Sequence, residues 1–189
     1  MEVFMDALQK DKRYTYADYL TWDDDVRYEL IDGVPYMMAS PSTEHQRICS
    51  ELHGQLWAFL QGKPCRPFTA PIDVRLNINK GDDTVFQPDI MVVCDHSKID
   101  KKSINGAPDF VIEILSPSTS RHDTFIKLNK YLWAGVREYW VVNPDEKTVL
   151  AHILKDGDYI VKAYGVEDET ISVSVLNGCI INLKEVFSQ

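Results

Sequence analysis

The hydrophobic positions of the first hundred residues predict one long helix and a short one before it. From Ser42 onward, Ile48, Leu52 and Leu56 recur at the four-residue spacing of one helix face, and Gly62 and Pro64 follow. Residues 14–22 form a shorter pattern in which Thr15 is a suitable N-cap. We therefore expect helices over 14–22 and from Ser42 to about residue 61.

A further helix is predicted over 121–134, ended by Gly135. Phe125, Leu128 and Leu132 are its expected buried face. Its polar side chains fall on the opposite side at spacings of three and four: Asp123, Lys127, Lys130 and Tyr131.

Strand patterns occupy most of the remaining chain. Asp32-Gly33 predicts a hairpin turn within 28–38, and Lys155–Asp158 predicts another. The expected strand segments are 67–78, 85–94, 109–115, 138–143, 148–154, 159–164, 171–175 and 179–183.

The order of these elements is helix, three strands, helix and strand, with β-hairpins at both ends. It predicts an α+β fold, an α/β sandwich-like arrangement, in a single domain over 1–189. The core spans about 42–144, and about 145–189 form a C-terminal β extension.

Composition narrows the class of protein. Of 189 residues 44% are hydrophobic and 26% charged, which is the mix of a globular domain. No apolar run approaches the ~20 residues of a membrane helix, and the polar N-terminus does not resemble a secretory signal. We expect a cytoplasmic protein without a membrane partner. With 20 basic against 29 acidic residues, a net charge of -9, the chain lacks a general basic coat for nucleic acid, although a local basic groove is still compatible with it.

The four cysteines, at positions 49, 65, 94 and 179, form no CxxC pair. We expect reduced and mostly buried thiols, as is typical of cytosolic proteins, and no structural zinc site.

Two carboxylates lie in neighbouring predicted strands and are candidates for a functional site. Asp89 follows Pro88 at the start of one strand, and Glu113 lies in the next, on the face shared by Val111 and Leu115. A carboxylate on a half-buried face needs compensation. A divalent cation held with Asp89 would supply it, and so would a Lys or Arg partner at a strand edge; the residues alone leave both open.

Other polar groups near these strands have equally ordinary explanations. Lys127 could stabilise charge at phosphorus, or form an intrahelical ion pair with Asp123. Ser116–Ser120 could serve only to start the helix. His45 and Glu29 could line a site, or pack and face water.

Together these segments resemble the Uma-type restriction endonucleases, a group within the PD-(D/E)XK nuclease superfamily. The segments that carry the resemblance run in order from about Tyr14 to Pro144: YELIDG at 28–33, SPSTEH at 40–45, QPDIMVV at 87–93, GAPDFVIEILSPST at 106–119 and DTFIKLNKYLWAGVREYWVVNP at 123–144. The resemblance implies a restriction-endonuclease-like core of helix, three-stranded meander, helix and strand.

The resemblance also implies an active site. Asp89 and Glu113 would hold Mg²⁺, for which Mn²⁺ can substitute. The Lys that usually follows the second acid by two residues is here Leu115, and Lys127 matches a position to which this Lys is relocated. Accessory positions near the site are Glu29, His45, Tyr131 and Asp123.

The expected function is that of a magnesium-dependent DNA endonuclease, a phosphodiester hydrolase. The basic side chains expected to contact DNA from two sides of the site are Lys98, Lys101, Lys102, Arg121 and Lys130. There are two alternatives. One is a nuclease fold that does not cut and serves as a binding or assembly module, and the other is a hydrolase of small phosphate esters. A homodimer is compatible with all three, and the target sequence, strand preference and methylation dependence are not encoded in any recognisable motif.

Overall fold

The predicted helices form where the sequence provides caps. In the computed structural model, residues 12–22, 26–116 and 121–188 are described, with 121–124 described by backbone alone. The α-helices of these residues are α1 Tyr16–Tyr19, α2 Thr43–Leu60, α3 Arg121–Ala134 and α4 Leu183–Val186. Short 3₁₀ turns occupy His96–Lys98 and Val166–Asp168. The predicted helix start at 117–120 lies outside the described residues.

Helix α2 shows how local sequence fixes an element. The Ser42 side chain accepts a hydrogen bond from the backbone N–H of His45 at 3.1 Å and so caps the helix. Ile48, Leu52 and Leu56 are fully buried, which confirms the predicted face. Thr15 caps α1 in the same way.

The strands of the described residues are short in the first half of the chain and longer in the second. In chain order they are β1 Tyr28–Ile31, β2 Val34–Met37, β3 Arg66–Thr69, β4 Asp73–Arg75, β5 Val85–Phe86, β6 Ile90–Val93, β7 Ser103–Asn105, β8 Phe110–Ile114, β9 Glu138–Asn143, β10 Thr148–Lys155, β11 Asp158–Gly165, β12 Thr170–Ser172 and β13 Ile180–Asn182.

Two sheets organise the fold. The six-stranded sheet has the order β11-β10-β9-β8-β6-β3, and the five-stranded sheet has the order β2-β1-β5-β4-β7. Strands β8 and β9 are parallel and are joined through α3, whereas β6 and β8 are antiparallel neighbours with Ile90 opposite Ile112. The two strands predicted to bring Asp89 and Glu113 together are therefore adjacent.

Each face of the six-stranded sheet covers its own hydrophobic core. On one face, Phe110, Ile112 and Ile114 pack with α2, α4 and the β12–β13 pair. On the other face, Val111 packs with Tyr131 of α3 and with side chains of the five-stranded sheet. This alternation along β8 is the one that the sequence predicted, and it turns Glu113 toward α3.

Two predicted strands are each divided between the sheets. Segment 67–78 contains β3 and β4, and segment 85–94 contains β5 and β6, with one member of each pair in each sheet. Pro71 and Pro88 lie at the divisions, where a residue without an N–H interrupts a ladder. The loop predicted after Cys94 also contributes β7 to the five-stranded sheet.

The buried face of α3 that hydrophobic spacing predicts is only partly correct. Leu128 packs against the second core as predicted. Phe125 is 63% exposed, whereas Tyr131 is fully buried and Lys127 is largely buried. Hydrophobic spacing placed the polar residues outward, but Lys127 and Tyr131 find acceptors inside, and these partners allow their burial.

The expectation of four reduced thiols is also wrong. Cys65 and Cys94 form a disulfide, while Cys49 and Cys179 are free and buried. Because β3 and β6 pair with Arg66 opposite Val93, the residues just outside that pair, Cys65 and Cys94, come side by side.

The helices of the described residues are not suited to cross a membrane. Within residues 12–22, 26–116 and 121–188, no helix has both the length and the apolar character that a bilayer span requires.

Candidate active site

A cleft of about 520 Å³ opens between the β1–β2 hairpin, the start of α2 and the ends of β6 and β8. Its floor carries the charged groups that the sequence singled out. Those groups are Glu29, His45, Asp89, Glu113 and Lys127. The remaining walls come mainly from the hairpin and from 39–41 and 70–71.

Asp89 is anchored through one of its two carboxylate oxygens. Its Oδ2 accepts a hydrogen bond from the backbone N–H of Ile114 at 2.8 Å and lies 3.2 Å from Nε2 of His45. Within the described part of the chain, no hydrogen bond is seen at Oδ1. The Ile114 N–H and His45 thus fix the carboxylate through Oδ2.

Glu113 is held in a similar way from α3. Its Oε1 accepts hydrogen bonds from Nζ of Lys127 at 3.0 Å and from the Tyr131 hydroxyl at 2.8 Å. Burial raises the pKa of this carboxyl to about 7, against the attraction of Lys127, and the negative charges of Asp89 and Glu29 add to the rise. The charged form of Glu113 is therefore disfavoured mainly by burial.

Lys127 lies between two carboxylates. Its Nζ donates to Glu113 and, at 2.9 Å, to Glu29, and its side chain is 16% exposed. Burial by itself lowers the pKa of the ammonium, but the attraction of Glu113 and Glu29 outweighs burial and raises the pKa. Lys127 is thus held in its charged form. Its two carboxylate partners explain its position without an ion pair to Asp123 within the helix. The Asp123 side chain lies outside the described residues.

Glu29 is positioned by a network that sequence analysis missed. Its Oε1 also accepts the backbone N–H of Gln87 at 3.0 Å, and the Gln87 amide donates to Asp73 at 2.9 Å. Asp73 in turn accepts the Tyr16 hydroxyl at 3.0 Å. The one sequence signal that could have indicated a role for Gln87 is its position two residues before Asp89. No local sequence signal indicated a role for Asp73.

His45 packs in the site, against Asp89. The side chain is buried at the first turn of α2, and Asp89 raises its pKa although burial works in the opposite direction. Its Nδ1 is buried without a hydrogen-bond partner among the described residues. Of the two interpretations from sequence, the structure supports a place at the site.

Tyr131 supports Glu113 from within the second core. It is fully buried, with its ring 5.3 Å from that of Phe86 and 5.0 Å from that of Tyr139. Burial, together with the charge of Glu113, raises the pKa of the phenol well above its usual value. The phenol therefore stays a hydrogen-bond donor to Glu113.

The carboxylates fit the needs of a magnesium ion. Mg²⁺ is commonly bound by one or two protein carboxylates and keeps several waters. Asp89 and Glu113 each use one oxygen for anchoring and line the same cleft. Within the described residues, no group of three or more His, Cys, Asp or Glu side chains is placed to hold a metal, so a binding site here would rest on this pair.

Comparison with known proteins identifies the family. A family model described as "Uma2: Putative restriction endonuclease" matches residues 16–184. The chain belongs to the Uma2 family. This is the family that the order of the sequence motifs predicted.

Two further proteins are similar to this Uma2 chain. Uncharacterized protein slr1290 of Synechocystis is 28% identical over 155 residues, which are 80% of each chain. A crystal structure described as a putative nuclease belonging to DUF820, from Anabaena variabilis, superposes with a TM-score of 0.76 at 23% identity, covering 92% of this chain and 97% of that one. The similarity confirms the predicted α+β, restriction-endonuclease-like fold.

Four of the five basic residues predicted to contact DNA lie in the described part of the chain, and none of these four lines the cleft of this Uma2 protein. Lys98 donates to the carbonyl of Ala107 at 2.8 Å, and Lys130 pairs with Asp32. Lys101 and Lys102 are exposed beside a separate hollow near α1. The Arg121 side chain lies outside the described residues.

Two residues that sequence analysis missed do line the Uma2 cleft. Arg27 precedes β1, and Tyr36 lies in β2. Both flank the YELIDG segment, but only the hairpin register reveals that they face the same way as Glu29.

Proposed function

We propose that this Uma2 protein is a magnesium-dependent endonuclease that hydrolyses phosphodiester bonds in DNA. The observation that carries the proposal is the convergence of Asp89, Glu113 and Lys127 on one cleft. Two carboxylates and a cation are the groups that hydrolysis at phosphorus requires.

In this proposal Asp89 and Glu113 hold Mg²⁺, and Mn²⁺ can take its place. When bound, the cation supplies Lewis-acid polarisation of the phosphoryl group and lowers the pKa of a water. The high pKa of Glu113 supports this role, because a bound cation would stabilise the charged form that burial disfavours.

Lys127 stabilises the negative charge that develops on the phosphoryl oxygens. An ammonium has three donors, and Glu29 and Glu113 occupy two of them. The ammonium borders the cleft, so the remaining donor is available to an oxygen of the substrate. Lys127 thereby takes the charge-stabilising role of the lysine whose usual position is occupied here by Leu115.

The neighbouring groups act as positioning residues. His45 and the Ile114 N–H orient Asp89, and Tyr131 orients Glu113. Glu29 keeps the ammonium of Lys127 directed at the cleft floor.

A cytoplasmic location belongs to the same proposal. In the cytoplasm the Cys65–Cys94 disulfide would be exposed to a reducing environment.

The test is a cleavage assay on purified protein. Plasmid, oligonucleotides and nitrophenyl phosphate are incubated separately with Mg²⁺, Mn²⁺ or EDTA. We expect DNA products with either metal, none with EDTA, and none from Asp89→Asn, whereas Asp145→Asn on an exposed turn retains activity. Hydrolysis of nitrophenyl phosphate without DNA cleavage would favour a small-ester hydrolase. DNA binding without any cleavage would favour a binding module.

A further inference from the structure

The register of the β1–β2 hairpin builds one wall of the cleft. Glu29 lies directly opposite Tyr36, and the Met38 N–H donates to the Arg27 carbonyl at 2.9 Å. Because alternate residues of a strand share a face, Arg27 and Glu29 face the same side as Tyr36 and Met38. All four line the cleft.

Tyr36 presents an exposed aromatic ring on this wall. The side chain is 42% exposed. Within the described part of the chain it forms no side-chain hydrogen bond, ion pair or ring contact. Met38 lines the cleft on the same face of the hairpin. An exposed aromatic ring therefore lies next to the charged floor.

The described lining of the cleft carries few cations for binding a duplex. Among the described residues, and apart from His45, the basic side chains that line it are Arg27 and Lys127, and two carboxylates already accept from Lys127. The chain as a whole has a net charge of -9. Duplex binding depends on many Lys and Arg contacts to phosphates, and the described lining supplies two such side chains.

Stacking of a base on an aromatic ring adds affinity that does not depend on charge, beside the contribution of phosphate contacts. In a paired duplex the faces of each base are covered by its neighbours, so only an unpaired base can present a face to Tyr36. The pairing of Tyr36 with Glu29 in the hairpin puts this ring beside the residue that holds Lys127.

We infer that the substrate class is DNA with unpaired bases, such as a single strand, a bubble or a flap. Tyr36 stacks on a base adjacent to the reacting phosphate, and Arg27 contacts a backbone phosphate. This inference rests on the proposed function and specifies its substrate.

Binding is measured first, in EDTA so that no cleavage occurs. A fluorescent 20-nucleotide strand and the same strand in a blunt duplex are titrated with wild-type protein and followed by anisotropy. We expect the strand to bind at least about tenfold more tightly than the duplex. Tyr36→Ala should lose about tenfold in affinity for the strand, and Tyr36→Phe should retain it, because stacking does not need the hydroxyl.

Trp57→Ala is the matched control, since Trp57 is 50% exposed and lies outside the cleft. It should bind the strand as the wild type does. Melting temperatures of all variants check that each is folded. Equal affinity for strand and duplex, or unchanged strand affinity in Tyr36→Ala, would overturn the inference.

Cleavage then separates this inference from the proposed function. With Mg²⁺ or Mn²⁺, the strand and a duplex with a central bubble should be cut at least about tenfold faster than the blunt duplex, and Tyr36→Ala should reduce that preference. Cutting all three at equal rates overturns the inference and leaves the nuclease. Strand-selective, Tyr36-dependent binding with no cleavage supports the ligand class and overturns the nuclease.

Discussion

Replacing Glu113 with glutamine is expected to stabilise the metal-free protein at neutral and alkaline pH. The amide is close in shape to the carboxyl, and its oxygen can accept the hydrogen bonds that Lys127 and Tyr131 donate to Oε1. The substitution removes a negative charge that is buried near Asp89 and Glu29. Lys127 keeps its pairing with Glu29 at 2.9 Å.

The magnitude follows from the pKa. Burial raises the pKa of Glu113 from 4.5 to about 7, which corresponds to about 3 kcal/mol. Because the folded protein binds this proton more tightly than the unfolded chain, the stability it contributes is complete below pH 4.5 and is lost as the pH rises through 7. Glutamine has no proton to lose, so the advantage of the variant should grow between about pH 4.5 and 7 and then level off.

Urea unfolding in EDTA across this pH range measures the difference, with Glu146→Gln on an exposed turn as the control. We expect Glu113→Gln to exceed the wild type by up to about 3 kcal/mol at pH 8 and to match it near pH 4. Adding Mg²⁺ at a hundred times its Kd should stabilise the wild type by about 2.7 kcal/mol and the variant by less. A loss of several kcal/mol at pH 8 would refute the reasoning, because Glu113 would then be a structural counter-ion of Lys127.

Four further changes test separate parts of the structure. Asp89→Ala and Lys127→Ala should each lower metal-dependent DNA cleavage at least about 100-fold. Calorimetry should find that Mn²⁺ binding is weakened in Asp89→Ala but not in Lys127→Ala. Equal weakening in both variants would argue against a charge-stabilising role of Lys127. Reduction of Cys65–Cys94, whose residues are 29 apart, should lower the free energy of unfolding by about 3.5 kcal/mol, measured in urea with and without dithiothreitol; a protein insensitive to reductant would contradict the bond. Arg27→Gln should lower the slope of log affinity against log salt by about 0.7 for single-stranded DNA, and an unchanged slope would show that Arg27 contacts no phosphate.

Local signals predicted the elements that depend on local physics. Ser42 and the four-residue spacing of Ile48, Leu52 and Leu56 specify α2, and Asp32-Gly33 specifies the first hairpin. Sheet membership is different, because alternation along a segment does not show which sheet it joins. The split of 67–78 into β3 and β4 therefore had no local signal beyond Pro71.

The site shows the same division between local and long-range information. Asp89 and Glu113 were predictable from acids in apolar strands, while the inward direction of Lys127 contradicted hydrophobic periodicity on α3. Burial of that lysine depends on Glu29, 98 residues away in sequence. The Cys65–Cys94 bond likewise depends on the β3–β6 register, which the sequence does not reveal.

The central claim is that Asp89 and Glu113 together hold the divalent cation. The most direct test is an anomalous difference map from crystals of the wild-type protein soaked in Mn²⁺. We expect one strong peak in the cleft in contact with both carboxylates, and its loss in crystals of Asp89→Ala. A wild-type protein that cuts DNA with Mn²⁺, yet shows no peak between Asp89 and Glu113 after soaking, would contradict it.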